Sequence, residues 1–133
     1  MATRIFVNLP VKNLAKSKEF FTKLGYRFNL QFTDEKAACM VISEDIYTML
    51  LVEDFFRTFC DKEICDTDKY TEAIICLSAD SRDAVNELVN KAVRAGGTTP
   101  NRPNDQGFMY GWGFVDLDGH IWEVMWMDPA AIK

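Results

Sequence analysis

A single histidine limits the chemistry available to this chain. His120 is the only histidine among 133 residues, and histidine is the commonest metal ligand and the usual general base near neutral pH. It follows the run Asp116-Leu117-Asp118-Gly119 and precedes Glu123 by three positions. Asp-Gly pairs favour tight turns between strands. The run therefore predicts a hairpin whose second strand carries Glu123.

Strand geometry separates the histidine from this carboxylate. Successive side chains of a strand point to opposite faces, so His120 and Trp122 share one face while Glu123 and Met125 share the other. His120 and Glu123 therefore cannot bind the same ion. Both faces of the strand are largely apolar, and a carboxylate buried there is costly unless it is paired.

Two interpretations of Glu123 follow from this cost. In the first, it is a buried acid that orients a ligand or acts as a general base. In the second, hydrogen bonds satisfy it inside a filled core. The candidate partners at neighbouring inward positions are Asn8, Ser78, and Tyr47 or Tyr110.

The four cysteines form no metal-binding pattern. Cys60 and Cys65 are separated by four residues and lack a second pair. We expect reduced thiols, with Cys39 and Cys76 packing as small hydrophobic side chains. A redox pair formed by Cys60 and Cys65 in a loop is the alternative.

Composition excludes several classes of partner. Fifteen Lys and Arg against twenty Asp and Glu give a formal charge of -5, which repels nucleic-acid phosphates and acidic membrane surfaces. No apolar run approaches the roughly 18 residues that cross a bilayer, and no leader pattern follows Met1. We expect a cytoplasmic protein with neither nucleic-acid nor membrane partners. A length of 133 residues with 48% hydrophobic residues predicts one globular domain.

The first half of the chain predicts one strand, one helix and three further strands. Residues 4–11 are rich in β-branched and apolar side chains, and the following helix begins after Asn13 and ends at Gly25. Three short runs, residues 26–32, 37–43 and 46–52, predict an antiparallel meander. The charged segment 53–70 predicts a linker with a short helix.

The second half repeats this pattern. A strand at residues 72–78 precedes a helix capped by Asp80 or Ser81 and ended by Gly96-Gly97. A short strand near Thr98, a loop at 100–106 and strands at 108–115 and 120–127 complete it. Aligning the halves places Leu9-Pro10-Val11 over Leu77-Ser78-Ala79.

The predicted fold is therefore α+β, with two tandem β-α-β-β-β units whose curved mixed sheets surround a cleft. Unit one spans about 1–52 and unit two about 71–128 of a single domain, 1–133. A ferredoxin-like sandwich is the alternative, but three strands after each helix argue against it.

The chain resembles the glyoxalase, bleomycin-resistance and extradiol dioxygenase superfamily, also called vicinal oxygen chelate proteins. The resemblance rests on Val7-Asn8-Leu9-Pro10-Val11, on Leu24-Gly25-Tyr26, and above all on Asp116-Leu117-Asp118-Gly119 followed by Glu123. The closing run, Trp122 to Asp128, is similar to a glyoxalase-like subgroup of unassigned reaction.

The resemblance implies a metal site that this chain lacks. Metal-dependent members hold one ion with four side chains, at positions that correspond here to Phe6, Met49, Ile74 and Glu123. Only the last can bind a hard or borderline cation, and one carboxylate does not hold such an ion. We therefore expect no metal and no other cofactor. A divalent metal would need ligands from the 53–70 loop or from a partner chain.

The residues around Glu123 predict an aromatic-lined ligand site. The candidate ligand-binding residues are Phe6, Asn8, Met49, Ile74, Ser78, Tyr110, Trp112 and Met125. The strand at 108–114 alternates aromatics with Met109, Gly111 and Gly113. A glycine face admits either a ligand or the helix of the same unit, and we favour the helix.

Two functions are compatible with these residues. The favoured one is a homodimeric protein that binds a small hydrophobic or cationic molecule through stacking and cation–π contacts, without a catalytic metal. The alternative is a metal-dependent lyase, similar to lactoylglutathione lyase, or a dioxygenase that uses Glu123 as ligand or base.

Overall fold

Two units with the same strand order make up the described part of the chain. The computed structural model describes residues 2–131, so Met1, Ile132 and Lys133 of the predicted domain lie outside the described residues. The chain divides between Cys65 and Asp66. Each unit holds a four-stranded mixed sheet with the strand order first, fourth, third, second. The predicted α+β fold of two β-α-β-β-β units is confirmed.

Unit one follows the predicted order of elements. Strand β1 (Ile5–Val11) leads into helix α1 (Leu14–Leu24), and the strands β2 (Arg27–Asn29), β3 (Ala37–Ser43) and β4 (Ile46–Val52) follow. Strand β1 pairs in parallel with β4, and the other pairings are antiparallel. The side chain of Asn13 accepts a hydrogen bond from the Lys16 amide, and Gly25 ends the helix, as predicted.

Strand β2 is shorter than the predicted run 26–32. The side chain of Asn29 accepts a hydrogen bond from the Gln31 amide and caps a 3-10 turn over Leu30–Phe32. This local bond competes with the strand ladder, as Asn side chains commonly do. After β4, the linker begins with the short helix α2 (Glu53–Phe56) and continues as a 3-10 turn over Arg57–Phe59.

The core of unit one contains one unsatisfied hydroxyl group. Leu9, Met40, Leu50 and Phe20 are at most 3% exposed. Thr48 lies among these residues on β4 and is 0% exposed, and its Oγ1 has no hydrogen-bond partner within the described residues. A buried polar group without a partner costs about 1–3 kcal/mol.

Replacing Thr48 with valine is expected to stabilise unit one by about 1 kcal/mol, because the shape is kept and the unpaired hydroxyl is removed. Urea denaturation followed by far-UV circular dichroism measures the change. Thr58→Val is the control, because the Thr58 hydroxyl donates to the Phe55 carbonyl and is exposed. A Thr48→Val protein less stable than the parent would contradict this assignment.

Unit two repeats the arrangement. It contains β5 (Ile74–Ser78), α3 (Arg82–Arg94), β6 (Asn104–Asp105), β7 (Met109–Val115) and β8 (Ile121–Met127). Strand β5 pairs in parallel with β8, and β7 pairs antiparallel with β8 and β6. Ser81 caps α3 through its hydroxyl, which settles the choice between Asp80 and Ser81.

The second strand of unit two, β6, differs from the prediction. Thr98 forms only an isolated bridge with Val115, and β6 arises inside the predicted 100–106 loop. The reason lies in Arg82, whose guanidinium pairs with Asp105 and donates to the Gly107 carbonyl. This anchor holds the loop in register with β7. No helix among residues 2–131 is long and apolar enough to cross a membrane.

Candidate functional site

The face of sheet two opposite α3 carries the main candidate residues. Cys76 pairs with Glu123 and Glu123 with Gly113, while Ser78 pairs with Met125 and Met125 with Gly111. Paired residues of neighbouring strands share a face. The structure therefore places these side chains together on what we call the open face, with Ile74 at its edge, 55% exposed.

Two glycines shape the open face beside Glu123. A Cβ built at Gly113 would lie 3.6 Å from Cγ of Glu123. A cavity of about 120 Å³ lies beside Gly111, where no side chain fills the space; it is lined by Arg102, Asn104, Gly111, Trp112, Glu123 and Met125, among others. Helix α3 packs on the opposite, aromatic face, so the interpretation that it packs against the glycines is wrong.

Glu123 is half-buried, and its carboxylate makes no hydrogen bond or ion pair with any described side chain or backbone group. Its predicted partners in unit two, Tyr110 and Ser78, do not bond to it. The Tyr110 hydroxyl donates to Oδ1 of Asn86 at 2.6 Å, on the α3 side of the sheet. Ser78 shares the open face but makes no bond to the carboxylate. The prediction that Tyr110 lines the site with Glu123 is wrong, because strand alternation turns it toward the helix.

The predicted partners in unit one are also engaged. The Tyr47 hydroxyl donates to the Glu44 carbonyl at 2.8 Å, and Nδ2 of Asn8 donates to the Phe6 carbonyl at 3.3 Å. The carboxylate of Glu123 is therefore available to a ligand.

Trp112 reaches the cavity despite its position on β7. Alternation places it with the aromatics of the α3 side, and its indole Nε1 donates to the Asn101 carbonyl at 3.0 Å. This bond ties the indole to the loop that contains Asn101. Trp112 lines the same cavity as Glu123. Trp122 is fully buried beneath α3 and Trp126 packs on Arg82, so neither is available to a ligand at Glu123.

Cys76 is a candidate site residue that the sequence reasoning missed. It is exposed and sits beside Glu123 on the neighbouring strand. Incomplete solvation of the sulfur raises the pKa of Cys76, and the charge of Glu123 raises it further. The prediction that Cys76 packs as a small hydrophobic residue is wrong. The alternation of β5 could have revealed this position, because it places Cys76 on the same face as Ile74 and Ser78.

The other cysteines behave differently from Cys76. Cys39 is 2% exposed, which confirms that it packs as a small hydrophobic residue, and burial raises its pKa. No disulfide joins any of the four cysteines within residues 2–131. Cys60 is exposed and Cys65 is half-buried, and their redox pairing stays a prediction.

The candidate residues of unit one share one face of sheet one. Phe6 pairs with Tyr47, and their rings stack with centroids 4.9 Å apart. Asn8 pairs with Met49, so the three predicted residues Phe6, Asn8 and Met49 lie side by side. The pairing of Asn8 with Met49 repeats that of Cys76 with Glu123, which makes Met49 the equivalent of Glu123. Their role in ligand binding stays a prediction.

The donor set does not fit the metal that the fold family implies. Three of the four equivalent positions hold Phe6, Met49 and Ile74, whose side chains offer no oxygen or nitrogen donor. No group of three or more His, Cys, Asp or Glu that could hold an ion occurs between residues 2 and 131. This includes the 53–70 loop, which was one of the two alternative sources of ligands; ligands from a partner chain stay a prediction.

His120 belongs to a buried structural network. It is 3% exposed, and its Nδ1 lies 2.5 Å from Oε1 of Glu72. Its backbone amide donates to Asp116, which also accepts from the Asp118 amide and from the indole of Trp122. Burial raises the pKa of Asp116, against the opposing effect of His120 and these bonds. The network fixes the turn that precedes β8 and so positions Glu123.

Arg82 anchors the loop that carries Asn101, Arg102 and Asn104, three residues that line the cavity. Its guanidinium lies 5.4 Å from the ring centroid of Tyr110 and 5.2 Å from that of Trp126. The hydrogen bond from Arg82 holds the pKa of Asp105 below its usual range.

Replacing Arg82 with alanine is expected to release the 101–107 loop, because the loop loses both the Asp105 pair and the bond at the Gly107 carbonyl. Hydrogen exchange of the Gln106 amide, which donates to the Met109 carbonyl, should accelerate at least tenfold. Arg94→Ala, a change at an exposed site in the last turn of the same helix, is the control. Equal exchange in the two variants would contradict the anchoring role.

Known proteins share this fold over nearly the whole chain. Residues 3–43 match the family model for the bleomycin resistance protein-like N-terminal region. A hypothetical protein from S. aureus is 28% identical, with a TM-score of 0.79 and 94% of each chain covered. No curated protein matches this sequence.

Two further solved structures have lower identity. A glyoxalase/bleomycin resistance protein/dioxygenase family enzyme from Burkholderia phytofirmans PsJN is 14% identical, with a TM-score of 0.77 and with 95% of this chain and 99% of that chain covered. A fosfomycin resistance protein from Listeria monocytogenes is 20% identical, with a TM-score of 0.68 and coverage of 95% and 93%. At these identities the likeness concerns the fold.

Proposed function

We propose that this chain, whose residues 3–43 match the bleomycin resistance protein-like N-terminal family model and whose fold resembles that of a glyoxalase/bleomycin resistance protein/dioxygenase family enzyme, belongs to that superfamily and binds a small hydrophobic or cationic molecule beside Glu123 without a catalytic metal. The observation that carries the proposal is a carboxylate that lines a cavity and has no partner within the described residues. A charge-assisted hydrogen bond to such a group contributes about 1.5–3 kcal/mol.

The surroundings of Glu123 favour a cation over an anion. The chain carries a net charge of -5, which attracts cations toward the protein as a whole. Trp112 lines the cavity and offers stacking, and an aromatic face near a cation adds about 0.5–1 kcal/mol at an exposed site. Met125 supplies an apolar contact beside both.

A metal-dependent lyase or dioxygenase is the less favoured function. It would need a divalent ion at Glu123, and the equivalent positions Phe6, Met49 and Ile74 offer no donors to share it. Binding alone needs only the carboxylate and the cavity. We also propose a homodimer in the cytoplasm, which sedimentation and cell fractionation would test.

Alkylation of Cys76 tests the binding proposal, because this thiol lies next to Glu123 on the open face. Iodoacetamide labelling is followed by mass spectrometry of peptides, with and without n-butylammonium as the probe. We expect the probe to slow alkylation of Cys76 several-fold. Cys60 is the internal control, since it is exposed elsewhere.

The matched variant is Glu123→Gln, which keeps the shape of the side chain and removes its charge. Protection of Cys76 should disappear in this variant. An unchanged alkylation rate of Cys76 at every butylammonium concentration would overturn the proposal.

A further inference from the structure

The cavity beside Glu123 is lined by one cation as well as one anion. Arg102 and Glu123 are the two charged residues among those that line it. Neither makes an ion pair within the described residues, with the other or with a third group. Arg4, Arg57 and Arg82, in contrast, each pair with an aspartate.

Opposite charges that line one small cavity without pairing favour a ligand that carries both. A guanidinium presents parallel donors that match a carboxylate, and a carboxylate accepts bonds from an ammonium group. Building on the proposed function, we infer that the ligand is a small amphoteric molecule, with its anionic group at Arg102 and its cationic group at Glu123.

The volume of the cavity limits the size of this ligand. At about 120 Å³ it falls well below the range of about 300–1,000 Å³ typical of drug-sized ligands. Liquid water takes about 30 Å³ per molecule, so the cavity corresponds to about four waters. An amino acid with a short aliphatic chain fits this size, and a nucleotide does not.

The lining also suits the middle of such a molecule. Gly111 and Met125 offer an apolar floor, and Trp112 forms a side wall whose indole N–H is already bonded to Asn101. Asn104 on β6 pairs with Gly111 on β7. This pairing puts the side-chain amide of Asn104 on the open face, and Arg102 lines the same cavity. A flexible chain of methylene groups therefore meets apolar surface between the two charged ends.

Matched probes test this inference. The three ω-amino acids β-alanine, 4-aminobutyrate and 5-aminovalerate are compared with butyrate and n-butylammonium, which carry one charge each. Binding is followed through the NMR signal of the Trp112 indole N–H, identified by its loss in Trp112→Phe. We expect at least one amino acid to bind at least tenfold more tightly than either single-charge probe.

Two charge-removing variants identify the ends of the ligand. Arg102→Gln should reduce the affinity for the best amino acid to that for n-butylammonium, and Glu123→Gln should reduce it to that for butyrate. Arg94→Gln, on the exposed end of α3, should change nothing.

The outcomes separate this inference from the proposed function. If n-butylammonium binds as tightly as the amino acids and Arg102→Gln has no effect, the inference is overturned while cation binding at Glu123 stands. If no probe shifts the indole signal or protects Cys76, both are overturned.

Discussion

Replacing Gly113 with alanine should destabilise unit two by about 2–4 kcal/mol. A Cβ at this position would lie 2.8 Å from the carbonyl oxygen of Trp122, and backbone atoms of a paired strand cannot move away cheaply. Strand β7 lies between β6 and β8, so any shift disturbs both pairings. The midpoint of urea denaturation, followed by intrinsic tryptophan fluorescence, measures the loss.

Gly111→Ala is the matched control on the same strand and the same face. Its Cβ would meet only the Val124 carbonyl oxygen, at an ordinary contact distance of 3.7 Å. This variant should keep the stability of the parent and narrow the cavity. Equal stability of the two alanine variants would contradict the close approach of β7 and β8 at Gly113.

Gly119→Ala should destabilise the turn before β8 by about 2–4 kcal/mol, for two reasons. Gly119 has a φ of +83°, a conformation that costs other residues roughly 1–2 kcal/mol. A Cβ there would also overlap the side chain of Thr67, whose hydroxyl donates to the Asp118 carbonyl. Thermal unfolding monitored by circular dichroism measures the change.

The double variant Thr67→Ala with Gly119→Ala, compared with Thr67→Ala alone, separates the two causes. Alanine removes the hydroxyl oxygen of Thr67, which is the atom nearest to a Cβ at Gly119, together with its bond to the Asp118 carbonyl. In the Thr67→Ala background, Gly119→Ala should cost less stability than it does in the parent, and the remaining cost reports the backbone strain. No loss of stability in Gly119→Ala would refute the assignment of this turn.

Periodicity and caps were enough to predict the fold. Asn13 and Ser81 cap the two helices through their side chains, as local sequence rules require. The alternation of β8 correctly separated His120 from Glu123, because side-chain direction in a strand depends only on the backbone. These features are local, so a single sequence carries them.

The predictions that were wrong concern features that depend on contacts between residues distant in the sequence. Strand β6 forms because Arg82 binds Asp105 and Gly107, which lie more than twenty positions away. Tyr110 was assigned to an inward position beside Glu123, although its hydroxyl donates to Asn86 on α3. The choice between the two faces of β7 required knowing which one the helix covers, and the sequence pattern alone does not decide that.

The site was predicted only in outline. Ile74, Ser78, Glu123 and Met125 share a face as the strand pattern predicts. Cys76 was missed because an isolated cysteine in an apolar strand resembles core packing. Arg102 was missed because no periodicity fixes the loop that carries it.

The metal content of the purified protein tests the central claim most directly. The protein is isolated without chelators, and bound metal is measured by elemental analysis in the parent and in Glu123→Gln. A binding protein that uses the carboxylate of Glu123 without a metal predicts far less than one equivalent of any divalent metal in both. One equivalent in the parent that is lost in Glu123→Gln would contradict it.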